Sequence, residues 1–217
     1  NLALWHDAIV ARVFSQQTIV DLAAASAKPV INALSDTCHP CQALADLLTL
    51  QEQVGALNEI HCTYIGDGNN VCQALMAGAA HTGMHLQVVT PVGYAPDADM
   101  LTQAQQLAAQ SGGSITLIHD LEQLQPTDVI YTDTWVSMGQ ERDHNAVLQD
   151  LAPYQVNRAL MQQLNARYFM HCLPAYRGRE VTAEVIDSPQ SLVLFQAENR
   201  LHAQNAILVK LFEGTHA

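Results

Sequence analysis

Residues 60–90, IHCTYIGDGNNVCQALMAGAAHTGMHLQVVT, indicate the fold class most directly. Ile60–Ile65 is a short apolar run that predicts a buried strand, and the turn residues Gly66–Asn70 follow it. A helical pattern then extends up to Gly83, a residue type that commonly ends helices. Leu86–Thr90 is a second apolar run. Strand, helix and strand joined by short links predict two parallel strands with a crossover helix.

The same alternation continues on both sides of this unit. The remaining predicted strands are Ala8–Val13, Pro29–Ala33, Ile115–His119, Asp128–Thr132 and Tyr168–His171. The remaining predicted helices are Gln16–Ala27 with Ser15 as its N-cap, Pro40–Gln53, Asp99–Gln110 and Glu198–Phe212. The chain is therefore predicted to be an α/β protein, with doubly wound parallel sheets and helices on both faces.

The composition is that of a folded, acidic chain. Of 217 residues, 49% are hydrophobic, and 9 Lys and Arg against 21 Asp and Glu give a formal net charge of −12. Disordered chains combine low hydrophobicity with many charges, so disorder is excluded. The acidic charge would repel nucleic-acid phosphates, and no apolar run approaches the ~20 residues that span a bilayer. We expect neither a nucleic acid nor a membrane as partner.

The cysteines indicate the compartment. Five cysteines are an odd number, in a chain too long to need disulfides for its stability. We expect free thiols and a cytoplasmic location.

Polar segments follow the predicted strands. They are Ser35–Gln42, Gly66–Asn70, Asp133–Glu141 and Cys172–Gly178. In parallel sheets ligands bind beyond the carboxyl ends of the strands, where such segments meet. The sequence thus predicts that these four segments share one rim and form a site.

Two motifs have alternative interpretations. Gly66–Gly68 could begin a dinucleotide loop, but the third glycine is absent, so a tight turn is the alternative. Cys38–Cys41 has the C-x-x-C spacing of a redox pair or of half a zinc site. A closed zinc site needs a second pair, and Cys62 and Cys72 are too far apart in the sequence to supply one. Small buried thiols are the alternative for this motif.

Single residues after the later strands are equally open to two interpretations. Asp133 could hold an ammonium group or cap a turn. Cys172 could be a nucleophile or a buried thiol. Arg200 could face an anion or lie in solvent on its helix. The residue types alone do not choose between these roles.

Five segments together resemble the ornithine carbamoyltransferase family. They are HPCQALADLLT at 39–49, GDGNNV at 66–71, DTWVSMGQE at 133–141, FMHCLPAYRG at 169–178 and AENRLH at 197–202. The resemblance extends from about Asp7 to Phe212. The triplet Ser137-Met138-Gly139 resembles the ornithine-type loop and not the aspartate-type loop. The resemblance implies an enzyme of arginine metabolism that carbamoylates the δ-amine of L-ornithine with carbamoyl phosphate, giving citrulline and phosphate. It further implies a homotrimer without metal or organic cofactor.

The resemblance also implies roles for individual residues. Those expected to bind carbamoyl phosphate are Arg12, His39, Gln42, Leu173 and Arg200. Those expected to bind ornithine are Asn70, Asp133, Ser137 and Met138. The expected catalytic residues are Cys172, Asp133, His39 and Arg12. Arg12 and His39 suit an oxyanion, Gln42 suits the carbamoyl amide, and we expect Cys172 to orient the amine without a covalent adduct.

The resemblance gives a domain organisation as well. We expect residues 1–38 to be a remnant of a carbamoyl-phosphate-binding domain, 39–54 a connecting helix, 55–195 an ornithine-binding domain and 196–217 a helix returning to the first domain. The family's Ser-Thr-Arg-Thr-Arg phosphate loop is expected upstream of Asn1, so the first lobe is expected to be truncated. With this loop absent, weak or no turnover is expected.

Two other functions remain open at this point. One is carbamoyl transfer to another amine, such as putrescine. The other is a non-catalytic binding or regulatory module on the same scaffold.

Overall fold

Two parallel sheets organise the protein in a computed structural model that describes residues 1–136 and 142–213. The first sheet contains β1 (Ile9–Arg12) and β2 (Val30–Leu34). The strands of the second are β3 (His61–Ile65), β4 (His85–Val89), β5 (Ser114–Ile118), β6 (Val129–Thr132) and β7 (Tyr168–His171). Their order is β5-β4-β3-β6-β7, and every adjacent pair is parallel.

Helices connect the strands. They are α1 (Leu2–Trp5), α2 (Gln16–Ala25), α3 (Pro40–Gln53), α4 (Asn70–Thr82), α5 (Ala98–Ser111), α6 (His144–Leu151), α7 (Arg158–Gln163), α8 (Ala183–Ile186) and α9 (Val193–Phe212). α3 packs against β2, α4 and α9 and so lies between the two sheets. None of the helices in the described part of the chain combines the length and apolar character needed to cross a membrane.

The hydrophobic core has two layers, one on each face of the larger sheet. Alternate residues of a strand point to opposite faces, so β6 places Tyr131 in one layer and Ile130 in the other. Residues of α4 and α5, among them Leu75, complete the first layer. Residues of α7 and α8, among them Leu160, complete the second. Helices on both faces confirm the predicted fold class.

The register of the larger sheet aligns its carboxyl ends. Ile65 at the end of β3 pairs with Val89 on one side and with Thr132 on the other, and Thr132 pairs with His171. The segments that follow β3, β6 and β7 therefore leave the sheet at one level. This alignment places them on a common rim, as the sequence predicts for these three segments, whereas the fourth, Ser35–Gln42, follows β2 of the smaller sheet.

The element bounds confirm most of the sequence predictions. α3 and β7 have the predicted bounds, and the Ser15 hydroxyl accepts a hydrogen bond from the backbone nitrogen of Gln17, as expected of an N-cap. The prediction that the last helix begins at Glu198 was wrong, because α9 begins five residues earlier at Val193. The short helices α1, α6, α7 and α8 were not predicted, since four to eight residues give too weak a periodic pattern.

Candidate active site

The rim after β3, β6 and β7 brings together an amide, a carboxylate and a thiol. The side-chain oxygen of Asn69 caps α4 by accepting from the backbone nitrogens of Val71 and Cys72. Its Nδ2 donates to Oδ2 of Asp133 at 2.7 Å. The other carboxylate oxygen of Asp133 accepts from Sγ of Cys172 at 3.1 Å. Both oxygens of this buried carboxylate thus have donors from neighbouring strand ends.

The state of the Cys172 sulfur follows from these surroundings. Burial, and then the negative charge of Asp133, raise the pKa of the thiol well above its usual 9. Cys172 is therefore a neutral S–H donor near neutral pH. A thiolate nucleophile requires the opposite shift, so the environment favours an orienting role for this side chain.

His171 and Glu180 form a buried pair beneath the turn that follows β7. Nδ1 of His171 accepts from the backbone nitrogen of Leu173 at 2.9 Å, so the ring proton lies on Nε2, which donates to Oε1 of Glu180 at 3.2 Å. The same Oε1 accepts from the backbone nitrogen of Tyr176. Leu173 has a φ of 61°, and the bond from Leu173 to Pro174 is cis. The imidazole thus accepts a hydrogen bond from the backbone of Leu173, a non-glycine residue in the left-handed conformation.

The amino end of α3 carries the first residues of a second group. His39 precedes Pro40 at the start of the helix, and its carbonyl accepts from the backbone nitrogen of Gln42 at 3.0 Å. The side chain is 6% exposed, and its Nδ1 has no hydrogen-bond partner in the described part of the chain. Burial, followed by the charges of Arg200 and Arg12, lowers the pKa of His39 from 6.5 to about 4. Its imidazole is therefore neutral at pH 7.

Gln42 and Arg200 join this second group. Nη1 of Arg200 on α9 donates to Oε1 of Gln42 at 2.8 Å, and Nε2 of Gln42 donates to Oδ1 of the buried Asp46 at 2.8 Å. Arg12 is exposed at the end of β1, and its charge reaches His39. These side chains thus form a cationic cluster around His39, which consists of His39, Gln42, Arg200 and Arg12.

A hydrogen bond from Asn70 links the rim of the larger sheet to the segment that follows β2. It is the first residue of α4, and its Nδ2 donates to the carbonyl of Ser35, after β2, at 2.6 Å. Of the carbamoyl-phosphate candidates, His39 and Gln42 lie at the amino end of α3, whereas Leu173 follows β7 on the rim of the larger sheet, beside the ornithine candidates Asn70 and Asp133. Ser137 and Met138 lie outside the described residues.

The structure also bears on the alternatives for the two motifs. Gly68 packs against the following loop, where an added Cβ would lie 2.2 Å from the backbone nitrogen of Pro96. Close packing explains this glycine without a nucleotide. Burial raises the pKa values of Cys38 and Cys41, whereas a reactive redox pair needs a lowered value. Both thiols therefore match the structural interpretation.

One group of possible metal ligands exists among the described residues. Ligand atoms of Asp133, His171 and Cys172 lie within 4.8 Å of one another. Both ring nitrogens of His171 are already bonded, to Leu173 and to Glu180. A metal ion would have to displace one of these bonds, so the arrangement suits a hydrogen-bonded group better than a cation.

Several polar residues of the site, buried or partly buried, were not among the candidates with an assigned role. They are Asp46, Asn69, Tyr131, Glu180 and Gln196. Two had a usable signal: Asn69 lies in the polar segment 66–70, and Asp46 lies four residues after Gln42 and so on the same helix face.

Comparisons with known proteins agree with this arrangement. A family model described as aspartate/ornithine carbamoyltransferase, Asp/Orn binding domain, matches residues 58–211. The carbamoyl-P binding domain of the same family matches residues 1–52. The ornithine carbamoyltransferase of Shewanella oneidensis is 52% identical over 212 residues, which cover 98% of this chain and 70% of that protein. That of Pyrococcus horikoshii is 49% identical over 215 residues, covering 98% and 68% respectively.

Solved structures are similar over the same extent. The ornithine carbamoyltransferase from Pyrococcus furiosus superimposes with a TM-score of 0.92 at 48% identity, covering 98% of this chain and 69% of that one. The anabolic enzyme from Campylobacter jejuni gives 0.92 at 33% identity, covering 98% and 71%. The chain therefore belongs to the aspartate/ornithine carbamoyltransferase family.

Proposed function

We propose that this chain transfers the carbamoyl group of carbamoyl phosphate to the δ-amine of L-ornithine, giving L-citrulline and phosphate. The observation that carries the proposal is the Asn69–Asp133–Cys172 hydrogen-bonded group on the rim, in a chain whose relatives are ornithine carbamoyltransferases. The reaction uses only groups that donate, accept and orient, and every site residue described above is of that kind.

The roles proposed for binding carbamoyl phosphate follow from the cationic cluster around His39. Attack on the carbonyl carbon places negative charge on its oxygen, and Arg12 and His39 are the donors proposed to stabilise it. A neutral His39 still has one N–H, which can donate a hydrogen bond to that oxygen without adding a positive charge that would also attract the phosphate. Removing one such donor in acyl-transfer enzymes costs ~2.7–4 kcal/mol of transition-state stabilisation. Gln42 and Leu173 are proposed to orient the carbamoyl amide, and Arg200 the phosphate end.

The amine side follows from Asp133 and Cys172. Free alkylamines titrate near pH 10, so the δ-amine must lose a proton before it can attack. The nitrogen then bonds to the carbonyl carbon, and the bond from that carbon to the phosphate oxygen breaks. One of the two protons left on the nitrogen leaves with phosphate, and the other stays on the δ-nitrogen of citrulline. Asp133 is proposed to attract the α-ammonium group, and the neutral thiol of Cys172 to fix the nitrogen in line. Asn70, Ser137 and Met138 are proposed to complete the ornithine site.

The larger organisation is proposed on the same grounds. Residues 1–38 would belong to the carbamoyl-phosphate domain and 55–195 to the ornithine domain, with 39–54 connecting them and 196–217 returning to the first. A homotrimer in the cytoplasm is the proposed state, and no cofactor is invoked.

A comparison of two acceptors tests the proposal. The purified 217-residue chain is supplied with carbamoyl phosphate and either L-ornithine or putrescine, and the carbamoylated product is measured. We expect ornithine to be strongly preferred, because putrescine keeps both amines but lacks the α-carboxylate, which Asn70 is proposed to bind. Equal or faster reaction of putrescine would refute the ornithine assignment.

Calorimetry separates the remaining outcomes. Binding of ornithine with little turnover would support the proposed amine site and refute the proposed transfer by this chain. Binding of neither ornithine nor carbamoyl phosphate would refute the enzymatic assignment and favour a non-catalytic module.

A further inference from the structure

The buried carboxylate of Asp46 lies where α3, α9 and β6 meet. Asp46 is on α3 and is 1% exposed. Its Oδ1 accepts from Nε2 of Gln42 and from Nε2 of Gln196, each at 2.8 Å, and its Oδ2 accepts from the Tyr131 hydroxyl at 3.0 Å. All three donors are neutral. Burial raises the pKa of this carboxyl to about 6, although these bonds lower it.

Through Gln42, Asp46 is connected to the residues proposed to bind carbamoyl phosphate. Gln42 uses its amide nitrogen on Asp46 and its amide oxygen on Nη1 of Arg200, so both ends of the amide are fixed. Any ligand that draws the Gln42 amide towards itself must lengthen or turn the bond to Asp46.

The second connection leads to the amine side. Gln196 on α9 donates to Asp46 and, through Oε1, accepts from the backbone nitrogen of His171 at 2.8 Å. His171 directly precedes Cys172. Tyr131 forms a parallel connection, because it lies on β6 two residues before Asp133. Asp46 therefore accepts hydrogen bonds from Gln196 and Tyr131, which are connected to Cys172 and to Asp133 respectively.

We propose that Asp46 is a positioning residue that couples the two substrate subsites, so that a ligand on the Gln42 side changes the affinity of the Cys172 side. This inference rests on the proposed function, which supplies the two ligands. The coupling is mechanical: Gln42 and Gln196 share one acceptor oxygen, so a shift of one amide changes the bond available to the other.

A neighbouring pair of bonds provides the matched control. Asn199, one turn along α9 from Gln196, donates to Oγ1 of Thr49 at 3.0 Å and to Oε2 of Glu52 at 2.9 Å. These bonds also join α9 to α3 and are buried or partly buried, yet they contact no candidate substrate residue. A role confined to holding the helices together would be common to Asn199 and Gln196.

The experiment compares Gln196→Met with Asn199→Leu in the full chain. Calorimetry gives the dissociation constant of L-norvaline, which is ornithine without its δ-amine and cannot react, with and without saturating carbamoyl phosphate. The ratio of the two constants is the coupling factor, typically 5–150-fold where two sites are coupled. We expect the unmodified chain to show a factor in this range, Gln196→Met to reduce it below about twofold, and Asn199→Leu to retain it. Both variants should melt at a lower temperature.

A conservative variant tests the mechanism further. Asp46→Asn keeps an acceptor oxygen for both glutamine amides, so it should retain most of the coupling. A wild-type factor in Gln196→Met, or equal loss in Asn199→Leu, would overturn the inference. A factor of one in the unmodified chain would overturn it while leaving the proposed function intact. Failure to bind either ligand would refute the proposed function and the coupling with it.

Discussion

Glu180 offers a sharp test of the support beneath the Leu173 turn. It is 1% exposed, and its Oε1 accepts from Nε2 of His171 at 3.2 Å and from the backbone nitrogen of Tyr176. Its Oε2 has no hydrogen-bond partner among the described residues. Replacing Glu180 with Met, which has similar length and no acceptor, leaves the buried Nε2 of His171 and the partly buried backbone nitrogen of Tyr176 without this acceptor.

The magnitude follows from those two donors. A donor left without a partner costs ~1–3 kcal/mol when it is buried, so the two donors together cost at most ~6 kcal/mol. Removal of the unpaired Oε2 offsets part of this. We expect Glu180→Met to lower the free energy of unfolding by about 2–5 kcal/mol. Glu180→Gln keeps the accepting oxygen, so we expect a loss of at most about 1 kcal/mol.

Denaturant unfolding at pH 7 measures these differences. Glu184→Met is the control, because Glu184 is exposed on α8 and surface changes of this kind usually stay within about 0.5 kcal/mol. The ¹⁵N shifts of His171 provide a second measurement, since the proton should lie on Nε2 in the unmodified chain. If Glu180→Met and Glu184→Met unfold at the same midpoint with the same slope, the structural reasoning is refuted.

Two further predictions concern the reacting groups and pH. Cys172→Ser keeps a donor for Asp133, so we expect ornithine binding to persist with reduced turnover; loss of binding for both substrates in a folded variant would contradict the orienting role. His39 and Asp46 should have opposite effects on the pH dependence of stability. The lowered pKa of His39, about 4 against 6.5, makes stability rise with pH between those values, because the unfolded chain binds more protons. The raised pKa of Asp46, about 6 against 3.8, makes stability fall as pH rises from 3.8 to 6. Each of the two effects amounts to about 3 kcal/mol at most. Unfolding is measured from pH 4 to 7. His39→Gln should lose the rising contribution, so its stability should fall more with pH than that of the unmodified chain, and Asp46→Asn should lose the falling contribution, so its stability should rise more; parallel curves for all three proteins would rule this out.

Local sequence determined most of the fold. A strand or helix of ordinary length has its periodicity and its end signals in adjacent residues, which is why α3 and β7 were predicted with their bounds. The start of α9 was not predicted, because no side chain caps it and Val193 joins the helix by packing into the second core layer. Short helices such as α7 are likewise stabilised by burial, as Leu160 shows, and not by their own pattern.

The position of the rim could also be predicted, because parallel strands end at the same edge and Asp133 and Cys172 each follow a strand. The hydrogen bonds that connect the rim to the rest of the site could not be predicted. The bond from Gln196 to Asp46 spans 150 residues of sequence, and His171 meets Glu180 through a turn with no periodic pattern. A buried polar side chain must find a partner wherever the packed chain places one. The residue types and the order of the strands were thus determined by the sequence alone, whereas the partners of the buried carboxylates were decided only by tertiary packing.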